Sequence, residues 1–212
     1  MITRALIIAP DDCGLQTVYG APAVNRVVTL ALQAGLKTHL IGGSDSCRAA
    51  LSPFSDRITF HSLKERGLAE AVREMALSDT EDVLILKANH VMDRKTFNFI
   101  IEMSQHSDLY LFESEGHGSA EPVYSTPAPL AAGIAESLFS GERLFPDLLS
   151  RAKIIHNYQG VPYLMADGEC RERTAEKKLM DVLAVQTRQT DGFMSIYFDR
   201  HISLLISRVL VK

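Results

Sequence analysis

The chain of 212 residues contains no tryptophan and only three cysteines, Cys13, Cys47 and Cys170. Three cysteines cannot all pair, so the sequence excludes a small secreted domain whose fold depends on disulfides. Basic residues number 22 against 26 acidic ones, which gives a net charge of -4. This balance argues against a polybasic nucleic-acid-binding protein, and we expect no nucleic-acid partner.

Long apolar runs are also missing. No segment reaches the roughly 18 apolar residues of a membrane-spanning helix, and the apolar stretch near the N-terminus is too short for a secretory signal. We therefore expect a cytoplasmic protein. Hydrophobic residues make up 46% of the chain and charged residues 23%, which is ordinary for a globular domain. At about 150 residues per domain, the length predicts one large domain, or one domain with appendages.

Short apolar segments alternate with amphipathic ones along the chain. The run Ala5–Ala9 is bounded by Pro10, which is typical of a buried strand. Residues 21–35 have apolar side chains three and four positions apart, which predicts a helix that ends at Gly35. The run 83–86 is continuously apolar, as in a central parallel strand. Further strands are predicted at 37–42, 57–60, 108–113, 122–124 and 161–168, and further helices at 44–51, 67–77, 94–105, 130–141 and 170–186.

This alternation predicts an α/β fold, with a three-layer α/β/α arrangement around an open, mostly parallel sheet and right-handed connections. In such sheets ligands bind at the carboxyl ends of the strands. Three polar clusters follow predicted strands: Pro10–Gly14, then Lys87–His90 with Asp93, and finally Asp167–Gly168. Their carboxylate and amide oxygens suit Mg²⁺ bound together with a phosphate substrate.

Each of these clusters also has a purely structural explanation. Asp93 would cap a helix that starts at Arg94, Asp167 would form a turn, and the two acids of the first loop would be solvated. His90 fits a hydrogen-bonded structural residue better than a general base. Lys87 is more unusual, because a lysine at the end of an apolar strand must reach solvent or pair with an acid.

Three segments resemble one family. Residues 18–43, with "VYGAPAVNRVVTLALQAGLKTHLIGG", are similar to a V-x-G-x-P-L-I-x-R segment followed by Ala-Gly. Residues 84–100, "LILKANHVMDRKTFNFI", resemble the family's metal-binding strand end, and 190–210, "TDGFMSIYFDRHISLLISRVL", resemble its C-terminal junction. The family is that of nucleotidyltransferase domains with the nucleotide-diphospho-sugar transferase fold. The more specific resemblance is to inositol-1-phosphate cytidylyltransferase-like domains fused in front of CDP-alcohol phosphatidyltransferases.

The resemblance implies transfer of CMP from CTP to a polyol phosphate, a small alcohol phosphate used in phospholipid head-group synthesis. It also implies Mg²⁺ as the cofactor, held by Asn89, Asp93 and Asp167. Lys87 would supply positive charge and, with Asp167, form the catalytic pair. The nucleotide-binding residues implied are Ala9, Pro10, Asp11, Gly14 and Asn89.

The chain departs from the family at the nucleotide loop. The family has Gly-x-Gly-x-Arg and a later lysine, which hold the triphosphate, whereas this loop carries Asp11 and Asp12 and no basic residue. Asn89 stands where the family has a metal-binding aspartate. Two hypotheses follow: a catalytic domain, or a catalytically degenerate regulatory or scaffolding domain of a membrane CDP-alcohol phosphotransferase.

The C-terminal segment 191–212 is expected to be separate from the domain formed by residues 1–190. It predicts an amphipathic helix with three basic and two acidic residues, a composition suited to a membrane surface. We therefore expect the chain to lie at the inner face of the membrane. The alternative is a helix packed on the domain or at the contact of a homodimer.

Overall fold

The computed structural model describes residues 2–10, 12, 14–63, 67–75, 81–104, 108–113, 122–141, 150–156 and 164–165. Asp11, Asp167 and the predicted C-terminal helix at 191–212 lie outside this described part of the chain. None of the helices within it has the length and hydropathy needed to cross a bilayer.

Strands and helices follow one another along the described chain much as the apolar pattern predicts. The strands are β1 (Ile2–Ala9), β2 (Thr17–Val18), β3 (Ala21–Pro22), β4 (Lys37–Gly42), β5 (Ile58–His61), β6 (Asp82–Lys87), β7 (His90–Val91), β8 (Tyr110–Glu113), β9 (Val123–Pro127), β10 (Lys153–His156) and β11 (Leu164–Met165). The helices are α1 (Ala23–Gln33), α2 (Asp45–Ala50), α3 (Leu68–Glu74), α4 (Arg94–Met103) and α5 (Ala128–Ser140), with one turn of 3-10 helix at Ser52–Phe54.

Seven strands form one sheet in the order β10-β8-β9-β6-β1-β4-β5. Strand β9 runs antiparallel to both of its neighbours, β6 and β8, and the other pairs are parallel. Two small antiparallel pairs, β2 with β3 and β7 with β11, lie outside this sheet. The prediction of a mostly parallel α/β sheet is confirmed.

Helices cover both faces of the sheet. Along β1, Ile7 packs in a cluster with α1 and α4, whereas its neighbours Leu6 and Ile8 pack in a second cluster with α3 and α5. This alternation follows from the two-residue repeat of a strand, and full burial on both faces explains why the run is continuously apolar. We call these the α1–α4 face and the α3–α5 face. The three-layer prediction is confirmed.

The helix boundaries have local causes. Pro22 precedes α1, and the left-handed backbone of Gly35, with φ of 76°, follows its C-cap. Ser44 caps α2 by accepting a hydrogen bond from the backbone N–H of Cys47, at 3.2 Å.

The hairpin β2–β3, the edge strand β10 and the short 3-10 helix at Ser52–Phe54 were not predicted. The hairpin β2–β3 has a two-residue turn, Tyr19–Gly20, with φ of 50° and 73°. Turns with two positive φ angles usually have asparagine as their first residue, so tyrosine at this position gave no turn signal. The edge strand β10 contains only four residues and exposes Ile154, so it lacks a clear apolar run.

Candidate functional site

The carboxyl ends of β1, β4 and β6 meet at one edge of the sheet. Strand β1 lies between the other two, with Ala9 paired with Gly42 of β4 and Ile8 paired with Lys87 of β6. The chain passes from β1 to β4 on one side, while β6 flanks β1 on the other, so the order of strands reverses between β1 and β6. Such a reversal is where open α/β sheets bind their ligands. The first two predicted polar clusters are therefore brought together.

The first loop folds back onto the end of β6 through Gly14. Its φ is 95°, and a Cβ atom built there would lie 2.8 Å from both the Cβ and the carbonyl oxygen of Ala88. The carbonyl oxygen of Gly14 also accepts a hydrogen bond from the backbone N–H of Val24 at the start of α1, at 3.0 Å. Glycine is required here for close packing as well as for the left-handed backbone.

Asp12 in the first loop is hydrogen-bonded to Ser44, the N-cap of α2. The Ser44 hydroxyl donates to Oδ1 of Asp12, and the same hydroxyl oxygen accepts from the backbone N–H of Cys47. Burial raises the pKa of the Cys47 thiol, and the negative charge of Asp12 raises it further. Asp12 is therefore a structural link in the described part of the loop, and Asp11 lies outside that part.

Lys87 and His90 are held in the turn that follows β6. Lys87 is 8% exposed and donates its backbone N–H to Nδ1 of the fully buried His90, at 2.9 Å. Nδ1 is therefore an acceptor, which places the proton of the neutral ring on Nε2. This contact confirms the structural interpretation of His90. Strand alternation puts Lys87 on the α3–α5 face, whereas Ala88 packs on the α1–α4 face.

Asn89 follows directly in the same turn. It is 7% exposed, and its Oδ1 is buried with no hydrogen-bond partner among the residues that the structure describes. A buried amide oxygen without a donor costs about 1–3 kcal/mol. Among the predicted site residues that the structure describes, Asn89 is therefore the one whose side chain carries an unsatisfied buried group, and a bound donor or cation would satisfy it.

Asp93 acts as the N-cap of α4. Its Oδ1 accepts from the backbone N–H of Thr96 at 2.8 Å, which confirms the helix-cap alternative. Within the described ranges, no group of three or more His, Cys, Asp or Glu side chains is arranged to hold a metal. A neutral amide at Asn89 and a capping carboxylate at Asp93 form a weak donor set for Mg²⁺ unless a further carboxylate joins them.

The third predicted cluster follows β11. Leu164 pairs with Val91 and Met165 with His90, so β11 runs antiparallel beside the turn that contains Asn89. Asp167 comes two residues after Met165 in the sequence and lies outside the described residues.

The hairpin β2–β3 is fixed against α1 by Arg26. Its Nε and Nη2 both donate to the carbonyl oxygen of Val18, at 3.0 and 2.8 Å, and its guanidinium lies 5.5 Å from the centre of the Tyr19 ring. Val18 and Tyr19 pack with Val91 beside the site. Sequence reasoning missed this support, although the arginine belongs to the segment that resembles the family.

Sequence comparisons show no relative: no protein-family model and no curated protein matches the chain. Solved structures do match. A structure described as a glucose-1-phosphate thymidylyltransferase from Bacillus anthracis has a TM-score of 0.60 at 9% identity, over 82% of this chain and 94% of the other. 4-Diphosphocytidyl-2C-methyl-D-erythritol synthase has a TM-score of 0.56 at 11% identity, over 84% and 99%.

A third solved structure is HddC from Yersinia pseudotuberculosis, complexed with GMP-PN, with a TM-score of 0.55 at 12% identity, over 83% of this chain and 99% of the other. Identities this low establish architecture and leave chemistry to the residues of the site. The chain therefore has the nucleotide-diphospho-sugar transferase fold.

Proposed function

We propose that the chain is a nucleotidyltransferase-like domain that binds a nucleotide at the carboxyl ends of β1 and β6. The observation that carries the proposal is the Oδ1 of Asn89, which is buried at the reversal of strand order and has no hydrogen-bond partner among the described residues. The fold is shared with structures named for thymidylyl transfer and for a diphosphocytidyl product.

The reaction we propose is transfer of CMP from CTP to a small alcohol phosphate, with release of pyrophosphate. Such a transfer needs positioning and neutralisation of phosphate charge more than covalent chemistry. Lys87 lies at the end of β6 and is the cation assigned to the phosphates. We assign to the nucleotide site the end of β1 and the loop after it, through Ala9, Pro10 and Gly14. Asp11 belongs to the same loop and is assigned to the site as well.

For the metal, we propose that Asn89 and Asp167 together hold Mg²⁺, whose charge would neutralise the phosphates. The pairing of Met165 with His90 supports this assignment, because it brings the strand that leads to Asp167 beside Asn89. Asp93 is a weaker candidate, since its Oδ1 already accepts the Thr96 N–H.

A second candidate function is a degenerate regulatory or scaffolding domain of a membrane phosphotransferase. The observation that favours it is Asp12, which places a carboxylate in the first loop and is fastened there by Ser44. A negative charge at this position repels a triphosphate.

The decisive measurement is calorimetric titration of the full chain with CTP, UTP, GTP, ATP and TTP in Mg²⁺. Binding of one nucleotide that is lost in Asn89→Leu and kept in the control His156→Gln supports the proposed site. No heat with any nucleotide at millimolar concentration contradicts it.

Catalysis is tested separately, by release of pyrophosphate from CTP with inositol phosphate as acceptor. Turnover that disappears in Asp167→Ala supports the enzyme and removes the regulatory candidate. Binding without turnover leaves the regulatory function as the supported one.

We also propose that residues 191–212 attach the domain to the cytoplasmic face of a membrane. The support is their basic, amphipathic sequence. Co-sedimentation with anionic liposomes should fall when 191–212 are deleted, and equal sedimentation of both chains contradicts the attachment. Sedimentation equilibrium of the same two chains tests the alternative, a homodimer through this segment.

A further inference from the structure

Two histidines meet on the far side of β1 from Asn89. His39 lies in β4 and is 3% exposed, and His61 ends the edge strand β5, where it pairs with Ile41. Nδ1 of His39 and Nε2 of His61 are 3.0 Å apart, and the rings are 5.3 Å apart between centres. Ile41 belongs to the α3–α5 face, so strand alternation places both rings on that face.

The surroundings of Nε2, the second ring nitrogen of His39, indicate which of the two histidines donates the hydrogen bond between them. Its Nε2 is buried and has no hydrogen-bond partner among the described residues. A buried N–H without an acceptor is rarer than a buried acceptor without a donor. The proton of His39 is therefore on Nδ1, which donates to Nε2 of His61, and both rings are neutral.

The charged side chains that act on His39 within the described part of the chain are cations. Lys37 on β4 and Arg4 on β1 lower the pKa of His39, after the larger effects of burial and of His61, from 6.5 to about 4. Arg4 is held by Glu81, at 3.1 Å, and donates to the carbonyl oxygen of Met75, at 2.9 Å. Helix α3 contributes apolar side chains to this face, namely Leu68 and Val72, followed by Met75 at its C-cap.

A divalent metal fits this surrounding poorly. Two imidazole nitrogens at this separation resemble a pair of zinc ligands. However, ligation through Nδ1 would move the proton of His39 to its buried Nε2, where no described acceptor is present. Lys37 and Arg4 would also repel the ion.

We propose that His39 and His61 form a proton-sharing pair that fastens the edge strand β5 to the sheet at neutral pH and releases it in acid. A proton taken up by His39 in the closed strand would place a buried positive charge beside His61, Lys37 and Arg4, whereas release of β5 exposes the ring to water. Strand β5 has β4 as its one neighbour in the seven-stranded sheet, so a broken contact between them can free it.

The sign of the effect follows from the direction of the shift. The folded pKa of His39 lies below its unfolded value, so opening binds a proton between about pH 6.5 and 4. The pair's contribution to stability is complete above pH 6.5 and is lost as the pH falls toward 4. Lys37 and Arg4 stay beside His39 when β5 leaves, so these two values set an upper limit of roughly 30-fold for the rise in the opening equilibrium at pH 5.

Hydrogen exchange of the full chain tests the proposal. Protection factors for the amides of 59–61, corrected for intrinsic exchange, should fall severalfold and at most about 30-fold between pH 7.5 and 5, while those of 83–86 stay unchanged. His39→Leu and the less buried His61→Gln should each reduce this pH dependence at least severalfold. His156→Gln, on the opposite edge strand, should keep it.

Three results would overturn the proposal. The first is a pH-independent protection of β5 in the unmodified chain, and the second is an unchanged dependence in both histidine variants. The third is stoichiometric binding of ZnCl₂ at pH 7.5 that is lost in His39→Leu, which would make the pair a metal site.

Discussion

Gly14 packs directly against Ala88, so the loop after β1 and the turn after β6 touch backbone to backbone. A Cβ atom at Gly14 would lie 2.8 Å from the Ala88 carbonyl oxygen. Ala88 in turn donates its N–H to the carbonyl oxygen of Ile8, at 2.9 Å. The two walls of the candidate site are thereby set at a fixed separation by one residue that has no side chain.

The substitution Gly14→Ala should therefore lower the free energy of unfolding by about 2–4 kcal/mol, from steric overlap together with a strained φ. Gly35→Ala is the matched control, because Gly35 also has a positive φ, 76°, but nothing lies within 4 Å of its added Cβ. The control should cost only about 1–2 kcal/mol. Urea unfolding measures both, and equal losses would show that the contact with Ala88 is not tight.

Two substitutions of Asp93 distinguish its role as a helix cap from a role as a metal ligand. Asp93→Ala removes the cap of α4 and should cost about 1 kcal/mol in urea unfolding. Asp93→Asn keeps an oxygen for the Thr96 N–H and should leave stability within about 0.5 kcal/mol of the unmodified chain. If Asp93→Asn also leaves the Mg²⁺ dependence of nucleotide binding unchanged, its role is the cap alone. A loss of Mg²⁺ dependence in this stable variant would assign it to the metal.

Asn89→Leu should abolish nucleotide binding without lowering the stability of the fold. Replacing an unsatisfied buried amide by an apolar side chain of similar volume removes a desolvation penalty. We expect the free energy of unfolding to stay equal or to rise by up to about 1 kcal/mol, while nucleotide binding is lost. A marked destabilisation would mean that Asn89 already has a partner in the folded chain, and the proposed site would lose its main support.

Cys47 should resist alkylation in the folded chain. Its thiol is buried and its pKa is raised, mainly by burial and further by Asp12, so little thiolate is exposed at pH 8. Iodoacetamide labelling followed by peptide mapping should modify Cys47 far more slowly in buffer than in urea. Asp12→Asn removes one of the causes that raise the pKa and should speed the native reaction; an equal or slower rate would contradict the proximity of the two groups.

Much of the fold could be predicted because a strand that is buried on both faces of the sheet has a continuously apolar sequence. The runs in β1 and β6 are continuously apolar, and the helices between them have one apolar face. The direction of β9 could not be predicted in this way, since apolar content does not encode whether a strand runs parallel or antiparallel. The Tyr19–Gly20 turn was missed because its residue pair is an unusual one for two positive φ angles.

The sequence predicted where in the fold the site lies, but not all of the contacts within it. The rule that ligands bind at the carboxyl ends of strands brought Pro10, Gly14 and Asn89 to one edge. It could not show that Asp12 is hydrogen-bonded to Ser44, because that contact joins residues distant in sequence, whereas the Asp93 cap is a local contact and was predicted. The His39–His61 contact was invisible for the same reason: 22 residues separate two side chains that the register of β4 and β5 makes neighbours.

The antiparallel strand β9 also sets an order of assembly. Strand β8 finds its two sheet partners in β9 and β10, both of which are synthesised after it, whereas β1, β4, β5 and β6 pair among themselves and are complete by residue 87. A nascent chain can therefore form a four-stranded half-sheet on the ribosome and must wait for residues 123–127 before β8 is joined to it. In the order of synthesis, β9 is therefore the strand that connects β8 to the four strands already complete.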